Sequence, residues 1–313
     1  MSYRLQLDEP LADGVPRVVC EQVDRALTAL SRQDGDAAEA VHQVRKRCKK
    51  IRGLLRLVRG SFAALYQQEN AWFRDLARRL SGPRDAQAMV ECFDKLRDAF
   101  SADLDPDAFA GIRQSLVAGS SEVNEGDELA DKVDKTISAL QDARLRVLGW
   151  RLDEDGFAAL EKGLTRTYRR ARKAQRLSYQ TPTPERFHEW RKRVKYHWYH
   201  LRLLRDVWPT AMKGLAAEAK QLADLLGNDH DLAVMRETLV RDRDVFDDSD
   251  HVDALLGLAQ RRQDQLRVAA QSLGWRLFAD KPRPFCRRLH RYWQAGQYDA
   301  VPPAGLNGAG TQC

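Results

Sequence analysis

The sequence predicts an all-α protein made of two related helical halves. Three observations carry that prediction. Gly and Pro are sparse, at 19 and 11 of 313 residues, while Ala, Leu, Arg, Gln and Glu are abundant, a composition that favours helix. No stretch shows the alternating pattern of a half-buried strand. A long segment also recurs 146 residues later, which argues for two halves of similar fold related by approximate two-fold symmetry.

The elements follow in order. Residues before Pro16 read as a poorly ordered start, and Arg17 to Leu30 as a helix. SRQDGDAAEA is a loop that feeds a basic helix, Val41 to Arg59, stopped by Gly60 and Ser61. Leu65 to Leu80 is a helix with Trp72, Phe73, Leu76 and Leu80 at core spacing; Gly82-Pro83 stops it. Helices are then expected over Ala86 to Phe100, Ala108 to Val123 and Leu129 to Leu148. In the second half they are expected over Phe157 to Leu177 and Phe187 to Arg205, ended by Val207-Trp208-Pro209. Leu215 to Leu226 follows, with GNDHD as a turn before a helix running to Phe246, then Asp253 to Leu273 and Pro284 to Trp293. LGWRL occurs at Leu148 to Leu152 and again at Leu273 to Leu277. The halves are expected at about 11–150 and 151–300, with a disordered Pro/Gly-rich tail over 301–313.

The first basic helix organises the rest. Val41 to Arg59 contains eight Lys or Arg, one His and no acid. At about 100° per residue, His42, Arg45, Lys49, Arg52 and Arg56 form one stripe. Val44, Cys48, Ile51, Leu55 and Val58 form another, so one side is a rail of positive charge and the other packs inward. The second copy superimposes His42 on His188, Arg45 on Arg191, Lys46 on Lys192, Lys49 on Lys195 and Arg56 on Arg202. Beyond the helix, Leu76, Ala77, Leu80, Asp85 and Met89 fall on Leu222, Ala223, Leu226, Asp231 and Met235 without a gap.

Net charge is +7, which points to an anionic partner. No apolar run reaches the length of a membrane span, and the N-terminus lacks the apolar core of a signal peptide. The five cysteines (Cys20, Cys48, Cys92, Cys286, Cys313) are scattered, with no CxxC pair. That argues against a disulfide framework or thiolate metal site and makes the cytoplasm the expected compartment.

His42-x-x-Arg45-Lys46-x-x-Lys49 and His188-x-x-Arg191-Lys192-x-x-Lys195, with the turns LSGPRD and LGNDHD, resemble the CHAD family (conserved histidine α-helical domain). The likeness runs roughly from Arg17 to Trp293. It implies two helical bundles about a pseudo-two-fold axis, basic residues of both halves lining a central cavity, and inorganic polyphosphate bound there. Association with polyphosphate granules would follow from that ligand. Some family members are fused to a triphosphate tunnel domain; no β-rich segment of that kind is seen, so a stand-alone version is expected. The chain departs from internal symmetry where His230 replaces Arg84, Trp198 replaces Arg52 and Gly227 stands for Ser81.

Polyphosphate offers charge and no base edges, so many cationic donors along a groove suffice. Arg supplies forked donors and Lys compact point charges. Facing rails would repel each other until a polyanion relieved them. The expected contact set is His42, Arg45, Lys46, Lys49, Arg52, Arg56 and Arg84 from the first half. His188, Arg191, Lys192, Lys195, Arg202 and His230 join them from the second. Arg169, Arg172 and Lys173, in the basic run to Arg176, stand open between lining the site and facing solvent; Arg283, Arg287, Arg288 and Arg291 are weaker candidates. Asp85 and Asp231 are expected to cap helices or orient cations.

Rival chemistries are weaker. His197-x-x-His200 has metal spacing, but these positions match the apolar Ile51 and Leu54, which puts them in the core; no HExxH or Cys/His set occurs. A metal held between His42 and His188 stays open. Nucleic acid is a rival polyanion, though no zinc-finger, RNA-recognition or KH signature is found. No P-loop or GxSxG is present, so a non-catalytic binding protein without a cofactor is expected.

Overall fold

The structure is a computed structural model that describes residues 3–31, 37–80, 84–102, 109–121, 126–246 and 249–300. Eleven α-helices and no strand occur among them. In chain order these are α1 Leu11–Leu30, α2 Ala37–Leu57, α3 Ala63–Arg79, α4 Arg84–Ala99, α5 Ala110–Ser121 and α6 Gly126–Leu148. Then come α7 Gly156–Gln180, α8 Pro184–Leu203, α9 Pro209–Arg241, α10 Ser249–Leu277 and α11 Pro282–Ala300. Among the described residues no helix is long and apolar enough to cross a membrane. The tail over 301–313 lies outside the described residues.

Buried apolar side chains form two clusters. The larger joins α1, α2, α3 and α6 to α7, α8, the first half of α9, the end of α10 and α11. The smaller joins α4 and α5 to the second half of α9 and the first half of α10, around Phe93, Leu96, Leu232, Met235 and Val252. Each therefore draws on residues from both sides of position 150. Helix α9 crosses from one to the other and ties them together.

Two expectations are corrected. The stretch before Pro16 is ordered: Tyr3 and Leu5 are 2% and 1% exposed. The Leu5 amide donates to the Leu203 carbonyl (2.9 Å) and the Tyr3 hydroxyl to the Lys50 carbonyl (2.7 Å). Helix α1 starts at Leu11, whose amide donates to Asp155 (2.8 Å). Three apolar residues at alternate positions are too weak a signal to read locally, and they gain order only by plugging the end of α8. The GNDHD segment is also no turn. It lies inside α9, a continuous 33-residue helix. Its Asp229 is buried against Arg267 (2.7 Å) and Gln263 of α10, so a poor intrinsic helix former is held by partners on the next helix. Asp231 consequently sits mid-helix and caps nothing.

The LGWRL pentapeptide shows how far position outweighs sequence. Its first copy follows α6, and Trp150 is 3% exposed; its second is the last turn of α10, and Trp275 is 63% exposed.

Candidate functional site

Helices α2 and α8 pack against each other around Gly53. A Cβ there would meet the Tyr199 ring at 2.9 Å, so the missing side chain lets the two helices close. The His200 Nε2 lies 3.1 Å from the Gly53 carbonyl. The Arg56 guanidinium stacks on Tyr196, 4.0 Å from the ring centre, and Lys50 lies in the field of Arg202. Partner numbers fall along α8 as they rise along α2, so the helices run antiparallel. Helix α7 presses on the end of α2 so closely that a Cβ on Gly163 would fall 1.9 Å from the Leu57 carbonyl oxygen.

One face of this pair gathers six of the expected residues. Lys195 is half-buried beside Arg191 and Lys49. The His188 ring lies against that of His230 from α9, with centres 4.1 Å apart. Lys192 and Arg191 stand in the field of both imidazoles. Arg191 in turn faces Asp231 of α9. The Nδ1 of His188 and the Nε of Arg191 are buried with no hydrogen-bond partner.

Electrostatics at this face follow from crowding like charges away from water. Burial, then Arg191 and Lys49, push the Lys195 ammonium down to about 8. Burial, then neighbouring cations, push the imidazole of His230 down to about 4; burial and then His230 do the same to His188. Burial also lowers Arg191. Both imidazoles are therefore neutral at pH 7.

The other expected residues are placed elsewhere along the helices. Arg52 and Arg56 turn towards α3, where both donate to Asn70 Oδ1 (3.3 and 2.6 Å). Arg202 lies at the other end of the pair, its guanidinium 5.2 Å from the centre of Trp198 and 5.6 Å from that of Tyr3. His42 and Arg45 are half-buried and Lys46 exposed on the first half of α2. Arg84 opens α4, but its side chain lies outside the described residues, as does that of Asp85. Arg169, Arg172 and Lys173 are exposed on α7 and line a separate groove against α10, which none of His188, Arg191, Lys195 and His230 enters.

Sequence reasoning missed several charged groups that matter here. Lys50 is 5% exposed, and burial followed by Arg202, Arg47, Lys46 and Arg25 pushes it down to about 7. Glu189 is held by Lys192 (3.0 Å) and Arg193, with Arg170 of α7 at 3.9 Å. The i,i+3 and i,i+4 spacing of Glu189 to Lys192 and Arg193 was the available signal.

The arrangement offers cationic donors and little else. His197 and His200 sit in the core as expected, His197 against Tyr168, Phe278 and Phe285. Among the described residues no group of three or more His, Cys, Asp or Glu could hold a metal ion.

Two curated relatives, uncharacterized proteins of two strains of Mycobacterium tuberculosis, are each 28% identical over 297 residues, covering 85% of this chain. The chain spans about half of their length (54%). The CHAD domain model matches residues 17–240, a span that holds α2, α8 and the His230 segment of α9, and on that match the chain belongs to the CHAD family.

Proposed function

We propose that the chain binds inorganic polyphosphate, without catalysing a reaction on it, at the basic face shared by α2, α8 and α9. CHAD domains are associated with polyphosphate binding in general. The observation that carries the specific reading is the convergence of Lys49, His188, Arg191, Lys192, Lys195 and His230, with buried nitrogens on His188 and Arg191 left unpaired. Buried donors without partners are costly, and anionic oxygens would satisfy them. The imidazoles lie among cations, which suits them to donate to phosphate once protonated.

Reciprocal contacts support an internal dyad in this reading. Gly53 and Tyr199 are counterparts under the 146-residue shift, and they touch. Arg56 on Tyr196 has as its counterpart Arg202 beside Lys50. Such reciprocal contacts are what a two-fold axis between α2 and α8 requires. Helix starts agree too: α3 begins at Ala63 and α9 at Pro209. In this reading each half contributes one rail, and the chain works in the cytoplasm and at polyphosphate granules.

Titrating the protein with long-chain polyphosphate tests this directly. Melting temperature should rise, since ligand relieves the repulsion, and affinity should fall linearly on a log–log plot against salt. An unchanged melting temperature together with no binding heat would end the proposal. Displacement of bound polyphosphate by nucleic acid at equal phosphate concentration would favour the rival polyanion.

A further inference from the structure

We propose that the groove between α7, α11 and the end of α2 is an outer extension of the polyphosphate site, engaged only by chains too long for the α2–α8 face. This rests on the polyphosphate reading above. The groove encloses about 1130 Å³ and is lined by Arg59 after α2, by Arg166, Arg169 and Arg170 of α7, and by Arg283 and Arg287 of α11. Lys162 adds a seventh cation, and Glu161 is the one carboxylate among its described lining residues.

Two features identify the ligand class. The described lining contains no aromatic ring and no large apolar side chain; Gly60 and Thr165 complete it. Base stacking, which single-stranded nucleic acid uses, has nothing to stack on. An acidic peptide would find no pocket for an apolar anchor. What the groove does offer is forked guanidinium donors in number, which suit phosphate oxygens. The adjoining groove shares Arg169 but carries Tyr179, Trp275 and Phe278, so the two neighbouring grooves differ in what they could stack on.

Continuity with the central face is the second argument. Lys192 lies in the field of His188 and His230 on one side and contacts Glu189 on the other. Glu189 also holds Arg193, and Arg170 approaches it at 3.9 Å. Arg170 stands in the field of Arg193, Arg166 and Arg59. Basic side chains thus succeed one another from His230 to the groove, interrupted by one carboxylate that a phosphate can replace.

The test compares wild type with Arg283→Gln/Arg287→Gln, titrated with polyphosphate fractions of defined, increasing length. Both positions are exposed, and a melting curve without ligand checks the fold. The double variant should bind short fractions as wild type does and long fractions roughly tenfold more weakly. Its salt slope for long chains should fall towards the slope for short ones. Identical length dependence in the two proteins overturns the extension, as does equal weakening at every length. Failure of wild type to bind any fraction would instead remove the central site.

Discussion

From Val41 to its end at Leu57, helix α2 carries seven cations and no acid, whereas α8 carries Glu189 among its cations and meets Asp231 from α9. Their environments differ in step. Lys49 is exposed, while its counterpart Lys195 is half-buried. On the α8 side the His188 ring is covered by that of His230, 4.1 Å away. A cation can be drawn beneath a neighbouring helix when a carboxylate is close enough to offset part of its desolvation. On α2, Lys46 and Lys49 stay near water, while the buried Lys50 is depressed by its burial and by neighbouring cations. The same motif thus makes one buried, pre-shaped wall and one open, strongly charged wall.

The largest expected effect breaks the α2 wall. Gly163→Ala pushes a Cβ into the Leu57 carbonyl, and should cost about 3 kcal/mol or more; a urea midpoint equal to wild type would show that α7 does not press on α2 this way. Next, Lys195→Met should weaken polyphosphate binding by roughly tenfold and raise the stability of the free protein, because a crowded charge is removed. Lys49→Met should do both to a smaller degree. Equal effects of the two in paired calorimetric titrations and melts would erase the contrast between walls.

A pH series sharpens it further. His188 and His230 titrate near 4 in the fold against about 6.5 when unfolded. Between those values the unfolded chain binds protons that the folded chain does not, so stability of the free protein falls as pH drops from about 6.5 to 4. A bound polyanion favours the imidazolium, so polyphosphate affinity should rise from pH 7 to 5. His188→Phe should flatten that rise, and a profile unchanged by the substitution would remove the ring from the site. Glu189→Gln frees Lys192 and Arg193 and should tighten binding by a few fold, read by the same titration; weaker binding would make Glu189 a positioning group and not a placeholder for phosphate. Smallest is Thr183→Ala at the start of α8. Its hydroxyl accepts from the Arg186 amide at a long 3.4 Å, so the loss should stay near the low end for a cap, about 0.5 kcal/mol in a denaturant series.

Much of the architecture could be read locally because helix periodicity and breakers are local signals. The expected positions of α2, α3, α7 and α8 lie within a few residues of those observed. Histidines 197 and 200 read as core residues because their register matches Ile51 and Leu54, and register is a property of one helix. The Gly227–Asp231 stretch misled because a poor helix former reads as a break until Arg267 and Gln263, far along the chain, are set beside Asp229. The single stripe from His42 to Arg56 could not reveal which neighbours each charge would meet.

By itself the sequence determined a helical chain, two basic amphipathic helices in matching register, and an excess of cations gathered on them. These depend on residue type and spacing along one chain. Only the tertiary structure decided that the apolar interior forms two clusters across both halves, and that Arg52 and Arg56 turn to α3. It also decided that Lys195, Arg191 and the His188–His230 pair share one face, and that Arg170 carries the charge outward. Such pairings depend on which helices desolvate one another's side chains, and that is settled by packing between residues far apart in sequence.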